Sequence, residues 1–149
     1  MSIEDDVVLL ERVPTLRLLG VEALRVLAIS SEQQQFARGS ILFRAGDEAD
    51  AGYVVQDGSF RIHVEDGGDR EIIAERGTLI GELALIVPMP RPATAIALEY
   101  STLIRIPRTL FQRVLDSDPA AARRLRDELA NRTRQATSDI LMASAKLSI

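Results

Sequence analysis

The sequence predicts an α+β fold, an antiparallel β-roll of the jelly-roll type flanked by N-terminal helices and one long C-terminal helix. Three features of the 149 residues support this prediction. Apolar residues at helical spacing occupy residues 4–34, short β-type runs separated by glycines fill residues 36–107, and residues 108–148 return to a helical pattern. Many short strands with regular turns are typical of a barrel or a jelly roll. We therefore expect a single domain over residues 1–149.

The N-terminal segment is expected to form helices over residues 4–34. Apolar residues cluster from Val7 to Leu10 and recur from Leu16 to Ile29. Pro14 separates the two groups, and proline is tolerated only in the first turn of a helix. The sequence therefore predicts that one helix ends before Pro14 and that another begins near it.

Short apolar runs between glycines predict the strands of the roll. Residues 60–64 alternate between apolar and polar side chains, which is the two-residue period of a half-buried strand. Residues 66–69, Asp-Gly-Gly-Asp, are typical of a hairpin turn. The predicted strands cover residues 41–43, 53–55, 60–64, 71–74, 94–98 and 102–106.

The last helix carries an apolar seam. Asp118 and Pro119 match the N-cap and the first helical position of a helix. The seam steps by three or four residues, close to a heptad pattern, through Leu125, Leu129, Thr133, Ala136, Ile140, Ala143 and Leu147. Two interpretations remain open: the helix packs on its own roll, or it also pairs with a second copy. We favour the pairing, because a helix of about seven turns is longer than so small a roll.

Composition excludes several classes of function. The formal net charge is −4 and the pI is about 5.1, the wrong sign for a domain that grips nucleic acid. The chain has no cysteine and one histidine, so a thiolate nucleophile and a histidine-rich metal site are excluded. No secretory signal and no membrane-spanning run is present. We expect a cytoplasmic protein without a metal, a nucleic-acid partner, a membrane partner or a catalytic activity.

Residues 81–95 carry the strongest functional signal. They are predicted to form a turn, one short helical turn, a proline-stopped loop and an arginine at the start of a strand. Unpaired backbone N–H groups at the start of a helix attract anions. Glu82 could accept hydrogen bonds from ligand hydroxyls, and Arg91 could fold back onto an anion with a charge-assisted contact. The segment therefore offers N–H groups and Arg91 to a phosphate, and the carboxylate of Glu82 to a diol.

This segment closely resembles the phosphate-binding cassette of the cyclic-nucleotide-binding domain family. The family includes protein kinase A regulatory subunits, cyclic-nucleotide-gated channels and bacterial catabolite activators. Residues 39–47, 53–55 and Gly58 are similar to the opening strands of that family. The cassette pattern is matched at Gly81, Glu82, Leu83, Ala84, Leu85, Ile86, Pro90, Arg91, Ala93 and Thr94.

The resemblance implies roles for these residues. Glu82 would hold the ribose 2′-hydroxyl and Arg91 the exocyclic phosphate oxygens. Backbone amides around Leu83, Ala84 and Ala93 would complete the cradle. The implied binding set is Gly81, Glu82, Leu83, Ala84, Arg91, Pro92, Ala93 and Thr94.

Two further features bear on the ligand. Pro92 stands where many members have Ala, Ser or Thr, and it has no N–H to donate to the phosphate. It also lacks the hydroxyl that resembles a guanine-selective contact in cGMP-preferring members, so the resemblance favours cAMP over cGMP. Residues 132–139 resemble the long dimer helix of the catabolite activators, where a Thr-Ser pair meets the adenine. Thr137 and Ser138 are therefore candidate base contacts, although an ordinary polar helix face explains them equally well.

The expected function is a regulatory module that binds a cyclic nucleotide, with cAMP favoured and cGMP still open. Ligand binding would move the C-terminal helix. Because the sequence ends at Ile149, we expect no DNA-reading domain, and the output would go to a protein effector or to a change in a homodimer. The alternative is a roll that has lost its ligand and acts as a dimeric protein-interaction scaffold.

Overall fold

A computed structural model describes residues 2–64 and 70–132 of the chain. The N-terminal segment forms α1 (Ile3–Glu11), α2 (Pro14–Arg17) and α3 (Val21–Ser30). A capping box starts α1, in which the Asp5 amide donates to Ser2 Oγ at 3.2 Å and the Ser2 amide donates to Asp5 Oδ2 at 3.3 Å. Pro14 is at the first position of α2, where its missing N–H leaves no hydrogen bond unmade. The predicted break near Pro14 is confirmed.

The β-roll that the sequence predicts is confirmed. Within residues 2–64 and 70–132, two four-stranded antiparallel sheets have the orders β1-β10-β4-β7 and β2-β9-β5-β6, and β3 and β8 form a further small pair. The strands are β1 (Glu32–Phe36), β2 (Ile41–Phe43), β3 (Glu48–Ala49), β4 (Ala51–Asp57), β5 (Phe60–Val64), β6 (Arg70–Ala74), β7 (Leu79–Ile80), β8 (Met89–Pro90), β9 (Ala93–Ala97) and β10 (Ser101–Pro107). β5 and β6 pair as the predicted hairpin, and the predicted turn at 66–69 lies outside the described residues.

The predicted end of the helical segment at residue 34 is wrong. Strand β1 begins at Glu32 and pairs with β10 from Glu32 opposite Arg105 to Phe36 opposite Ser101. The run Glu-Gln-Gln-Gln has no apolar periodicity of its own, so its conformation follows from its partner strand. Pairing also brings Gln33 against the buried Gln56, whose Oε1 accepts from Gln33 Nε2 at 2.7 Å.

Two apolar clusters hold the layers together. One lies between the helices and the first sheet and includes Leu10, Leu27, Ile106 and Phe111, all fully or almost fully buried. The other lies inside the roll and includes Phe43, Val55, Phe60 and Leu103. The first cluster reaches Leu85, so the segment between β7 and β8 rests on the helix-facing core.

The C-terminal part consists of α4 (Arg108–Ser117) and α5, which covers residues 119–132 of the described chain. The predicted N-cap of α5 is confirmed, because the Ala121 amide donates to Asp118 Oδ1 at 3.1 Å. Leu125 is 3% exposed and belongs to the cluster between the helices and the first sheet, and Leu129 packs against that cluster. These two seam positions therefore serve the chain's own core, and the later ones, from Thr133 to Leu147, lie outside the described residues. No helix in the described ranges is long and apolar enough to cross a membrane.

Candidate functional site

The predicted cassette forms a turn and one short helix between β7 and β8. Gly81 adopts a left-handed conformation, with φ of 78°, and residues Glu82–Leu85 form a 3-10 helix. The turn uses one amide that the resemblance assigned to the ligand: the Ala84 N–H donates to the Gly81 carbonyl oxygen at 3.1 Å. The N–H of Ala84 therefore already has an acceptor, as the fourth residue of a 3-10 turn does, and its role in the cradle stays a prediction. The N–H of Leu83, in the first turn, has no acceptor within such a helix.

A tight turn in front of β3 fixes the backbone of Arg91. The Arg91 amide donates to the Asp47 carbonyl oxygen at 2.7 Å, and the Gly46 amide donates to the Arg91 carbonyl oxygen at 2.8 Å. The Arg44 amide donates to Asp47 Oδ2 at 2.9 Å, and the Asp47 amide donates to the Arg44 carbonyl oxygen at 3.1 Å, so these two residues close the turn with reciprocal hydrogen bonds. Arg44 and Asp47 thus position the cassette arginine through its main chain.

The Arg91 side chain is buried, at 5% exposure. Its guanidinium carbon lies 4.2 Å from the centroid of the Phe43 ring and 5.5 Å from that of Tyr53, distances at which a cation is attracted to an aromatic face. Nη2 donates to the Ala51 carbonyl oxygen at 2.9 Å. Nε and Nη1 have no hydrogen-bond partner among the described residues. Burial lowers the pKa of Arg91 from its usual value, and the nearby Tyr53 and Asp50 oppose that shift.

Arg91 lies at one side of a cleft of about 200 Å³. The lining brings together six residues of the predicted set, Gly81, Glu82, Leu83, Ala84, Arg91 and Pro92. β3 and β8 contribute Ala49 and Met89. The cleft surface is almost entirely apolar, and Glu82 and Arg91 are the two charged residues among those that line it.

The other predicted site residues lie elsewhere. Ala93 and Thr94 begin β9 and are not in the cleft lining. Thr94 Oγ1 accepts a hydrogen bond from the Ala45 amide at 3.0 Å, so its hydroxyl supports the turn beneath Arg91. Thr137 and Ser138 lie outside the described residues. His63, which the sequence analysis left out of the site, pairs across the hairpin with Glu71, with Nδ1 3.8 Å from Glu71 Oε1.

Two residues that the sequence analysis missed contact Glu82. Thr15 of α2 donates from Oγ1 to Glu82 Oε1 at 2.7 Å. Arg132 of α5 donates from Nη1 to the same oxygen at 2.5 Å, and from Nη2 to Thr15 Oγ1 at 3.0 Å. Arg132 begins the segment that resembles the dimer helix, but no local motif indicates either contact, because the contacts join positions that are 50 to 117 residues apart in the chain.

A third missed residue, Arg108, holds the far end of the 3-10 helix. Its Nη1 donates to the carbonyl oxygens of Ala49 at 2.8 Å and Ala84 at 3.1 Å, with Val87 at 3.4 Å. The last carbonyl groups of a helix have no N–H donor within the helix, and they commonly accept hydrogen bonds from a basic side chain. Arg108 therefore ties α4 to both walls of the cleft.

Comparison with known proteins agrees with this geometry. The family model described as "Cyclic nucleotide-binding domain" matches residues 33–118, more than half of the chain. The N-terminal domain of a transcriptional regulator from Streptomyces coelicolor superposes with a TM-score of 0.79 at 33% identity, over 89% of this chain and 94% of that one. A cyclic nucleotide-binding-like protein from Brucella abortus superposes with a TM-score of 0.66 at 34% identity, over 75% and 98%.

Among curated proteins, the chain is similar to a lysophospholipase nte1 from Aspergillus fumigatus. The two are 32% identical over 106 residues. The match covers 69% of this chain and 7% of the lysophospholipase. The chain thus spans less than a tenth of the length of the curated relatives that it matches.

Proposed function

Because this chain belongs to the cyclic nucleotide-binding domain family, we propose that it is a regulatory module that binds a cyclic nucleotide in the cleft between Glu82 and Arg91. The preferred ligand is cAMP, and the chain catalyses no reaction. The enzymatic activity of the lysophospholipase relatives does not indicate catalysis by this chain, because the chain corresponds to only 7% of the first of them.

The buried guanidinium of Arg91 is the observation that carries the proposal. Leaving charged donors buried without partners costs free energy, and Nε and Nη1 of Arg91 are in that state among the described residues. A phosphate oxygen accepts strongly from such a fork of N–H groups. The rings of Phe43 and Tyr53 and the Ala51 carbonyl group hold the fork in place, so little side-chain entropy is lost when an anion binds.

Glu82 and Pro92 support the choice of ligand. Glu82 lines the same cleft as Arg91, and a carboxylate there would accept a hydrogen bond from the ribose 2′-hydroxyl. Pro92 also lines the cleft but has neither an N–H nor a hydroxyl to offer to a guanine. The proposal therefore favours cAMP over cGMP.

The proposed output uses the C-terminal helix. Arg132 of α5 contacts Glu82, so a ligand that changes the hydrogen bonds of Glu82 acts directly on that helix. A ligand shifts such an equilibrium only by its different affinity for the two arrangements. We further propose that the chain forms a homodimer through the seam of this helix and passes its signal to a protein effector.

A second candidate function is a ligand-free scaffold for protein interaction. Pro92 removes one amide donor, and Thr15 and Arg132 already occupy Oε1 of Glu82. A thermal shift separates the two candidates, because a ligand at about 100 times its Kd stabilises the folded state by roughly 2.7 kcal/mol. No shift with cAMP, cGMP or a cyclic dinucleotide would favour the scaffold.

Calorimetry with an Arg91 variant tests the site itself. Arg91→Ala is expected to weaken cAMP binding by about 2–5 kcal/mol, because it removes the partner of a partly buried phosphate charge. Arg113→Ala is the matched control, since Arg113 is exposed on α4. An Arg91→Ala affinity within about threefold of the wild type would show that the phosphate binds elsewhere.

The ribose role has its own test. Glu82→Ala is expected to weaken cAMP binding more than 2′-deoxy-cAMP binding, because the deoxy ligand lacks the hydroxyl that Glu82 would accept from. Equal losses of affinity for both ligands would remove Glu82 from this role and leave the Arg91 test unaffected.

A further inference from the structure

Thr15 joins the N-terminal helices to the carboxylate at the edge of the cleft. Thr15 is 2% exposed, although threonine is a polar residue. Its hydroxyl donates to Glu82 Oε1 at 2.7 Å and accepts from Arg132 Nη2 at 3.0 Å. One hydroxyl therefore links α2, the 3-10 helix and α5.

The geometry of this cluster fixes the orientation of the Glu82 side chain. A hydroxyl has a single proton, and Thr15 gives that proton to Glu82 while a lone pair receives Arg132. Both donors to Glu82 use the same oxygen, Oε1. The carboxylate is thus anchored on one oxygen, and neither of these two hydrogen bonds occupies Oε2.

We propose that Thr15 is a positioning residue for the ribose-binding carboxylate. The inference rests on the proposed role of Glu82 toward the ribose 2′-hydroxyl. Anchoring Oε1 in advance removes rotamer freedom that Glu82 would otherwise lose when the ligand binds, and such preorganisation increases affinity. Ion pairing with Arg132 alone would not do this as well, because the side chains of Glu82 and Arg132 are 32% and 40% exposed.

The same contacts couple the N-terminal helices to ligand binding. α5 also contacts the C-cap of α2 through Arg124, whose Nε donates to the Leu18 carbonyl oxygen at 2.8 Å. Coupling between two sites is reciprocal. If Thr15 orders Glu82 for the ribose, then the ribose hydroxyl stabilises the α2 segment in return, and a ligand without that hydroxyl does so less.

Replacing Thr15 by valine tests the inference, because valine keeps the shape and removes the hydroxyl. Calorimetry on the full chain is expected to show about a three- to tenfold loss of cAMP affinity, the size of one hydrogen bond. The affinity for 2′-deoxy-cAMP is expected to stay unchanged, and Thr15→Ser is expected to restore cAMP binding. Thr109→Val, the same change at an exposed position of α4, serves as the control.

Other outcomes overturn the inference in distinguishable ways. Equal losses for both ligands would give Thr15 a purely structural role, and a gain of cAMP affinity would make the cluster a competitor of the ligand. If Glu82→Ala does not discriminate between the ligands, the ribose role fails, and the inference fails with it. If Glu82→Ala discriminates and Thr15→Val does not, the inference alone fails.

Hydrogen exchange on the wild-type chain supplies a measurement that does not depend on the folding of a variant. Saturating cAMP is expected to slow amide exchange in residues 14–17 more than saturating 2′-deoxy-cAMP does. Equal protection by the two ligands would overturn the proposed coupling.

Discussion

Arg91 keeps its buried position because residue 81 has no side chain. A Cβ atom on Gly81 would lie 2.6 Å from Arg91 Nη1 and 3.4 Å from the Ala51 carbonyl oxygen, and the φ angle there is +78°. The same guanidinium nitrogen is one of the two without a partner among the described residues. Residue 81 therefore controls both the turn and the proposed phosphate contact.

We expect Gly81→Ala to lower stability and to abolish ligand binding. The left-handed conformation costs a non-glycine residue roughly 1–2 kcal/mol, and the methyl group displaces the Arg91 fork. Gly39→Ala is the matched control, since Gly39 has φ of +85° and open space around its Cβ position. Chemical denaturation is expected to show a loss of stability in both variants, the larger one in Gly81→Ala, and calorimetry is expected to show lost cAMP binding only in Gly81→Ala. Normal binding by Gly81→Ala would contradict this account.

Asp6 makes a second residue-scale prediction, which concerns pH. Burial raises the pKa of Asp6, while its hydrogen bond from Gln56 at 2.7 Å partly opposes that effect. A carboxyl group whose pKa is higher in the folded than in the unfolded state holds more protons when the chain is folded. The free energy of unfolding therefore falls as the pH rises from the unfolded pKa to the folded pKa. The interval begins at the ordinary value of 3.8.

Asp6→Asn is therefore expected to remove part of the pH dependence. The amide oxygen can still accept from Gln56, and the side chain no longer ionises. Denaturation midpoints of both chains at pH 3.5 and pH 7 provide the measurement. Relative to Asp6→Asn, the wild type is expected to lose stability toward pH 7, and a relative gain would show that the pKa of Asp6 is lowered instead.

At the scale of elements, Arg108 connects α4 to the walls of the cleft. Arg108→Ala is expected to cost about 1–3 kcal/mol, because the partly buried carbonyl groups of Ala49 and Ala84 lose a charged donor. Cyclic-nucleotide affinity is expected to fall as well, since the 3-10 helix is then held at one end only. Arg113→Ala on the same helix is the control. Stability and affinity within error of the wild type would show that water replaces the guanidinium without loss.

At the scale of the whole molecule, we expect a homodimer through the C-terminal helix. Leu125 is already buried in the chain's own core and Leu129 is partly buried against it, so we expect most of the pairing to come from the later seam positions, of which Ile140 and Leu147 are the largest. Each aliphatic side chain that becomes fully buried contributes about 1.5–3 kcal/mol. Sedimentation of the full chain at micromolar concentration, with and without cAMP, measures the state of association.

Ending the chain at Arg132 provides the matched comparison. This shorter chain is expected to be a monomer that retains the proposed phosphate site. If the full-length chain sediments as a monomer with and without cAMP, the dimer prediction is wrong and the helix packs only on its own roll.

Local patterns in the sequence were sufficient for much of this molecule. The alternation in residues 60–64 predicts β5 with its observed bounds, and Asp118 with Pro119 predicts the start of α5. The run Gly81 to Leu85 predicts the turn and the short helix. In each case the deciding interactions join residues a few positions apart, such as a cap, a turn or the two-residue period of a strand.

Tertiary structure decided what surrounds the cleft. The sequence near Glu82 contains no sign of Thr15 or Arg132, which lie 67 and 50 residues away from it, and nothing near residues 81–91 indicates Arg108. Strand β1 also depends on a distant partner, because its polar run is extended only where β10 pairs with it. A pattern along the chain records local geometry, whereas these contacts exist only once the sheets and helices have packed and brought separate segments within hydrogen-bond distance. The sequence by itself therefore determined the cassette and its two charged residues, and packing determined that two helices hold Glu82 and that strand residues hold Arg91.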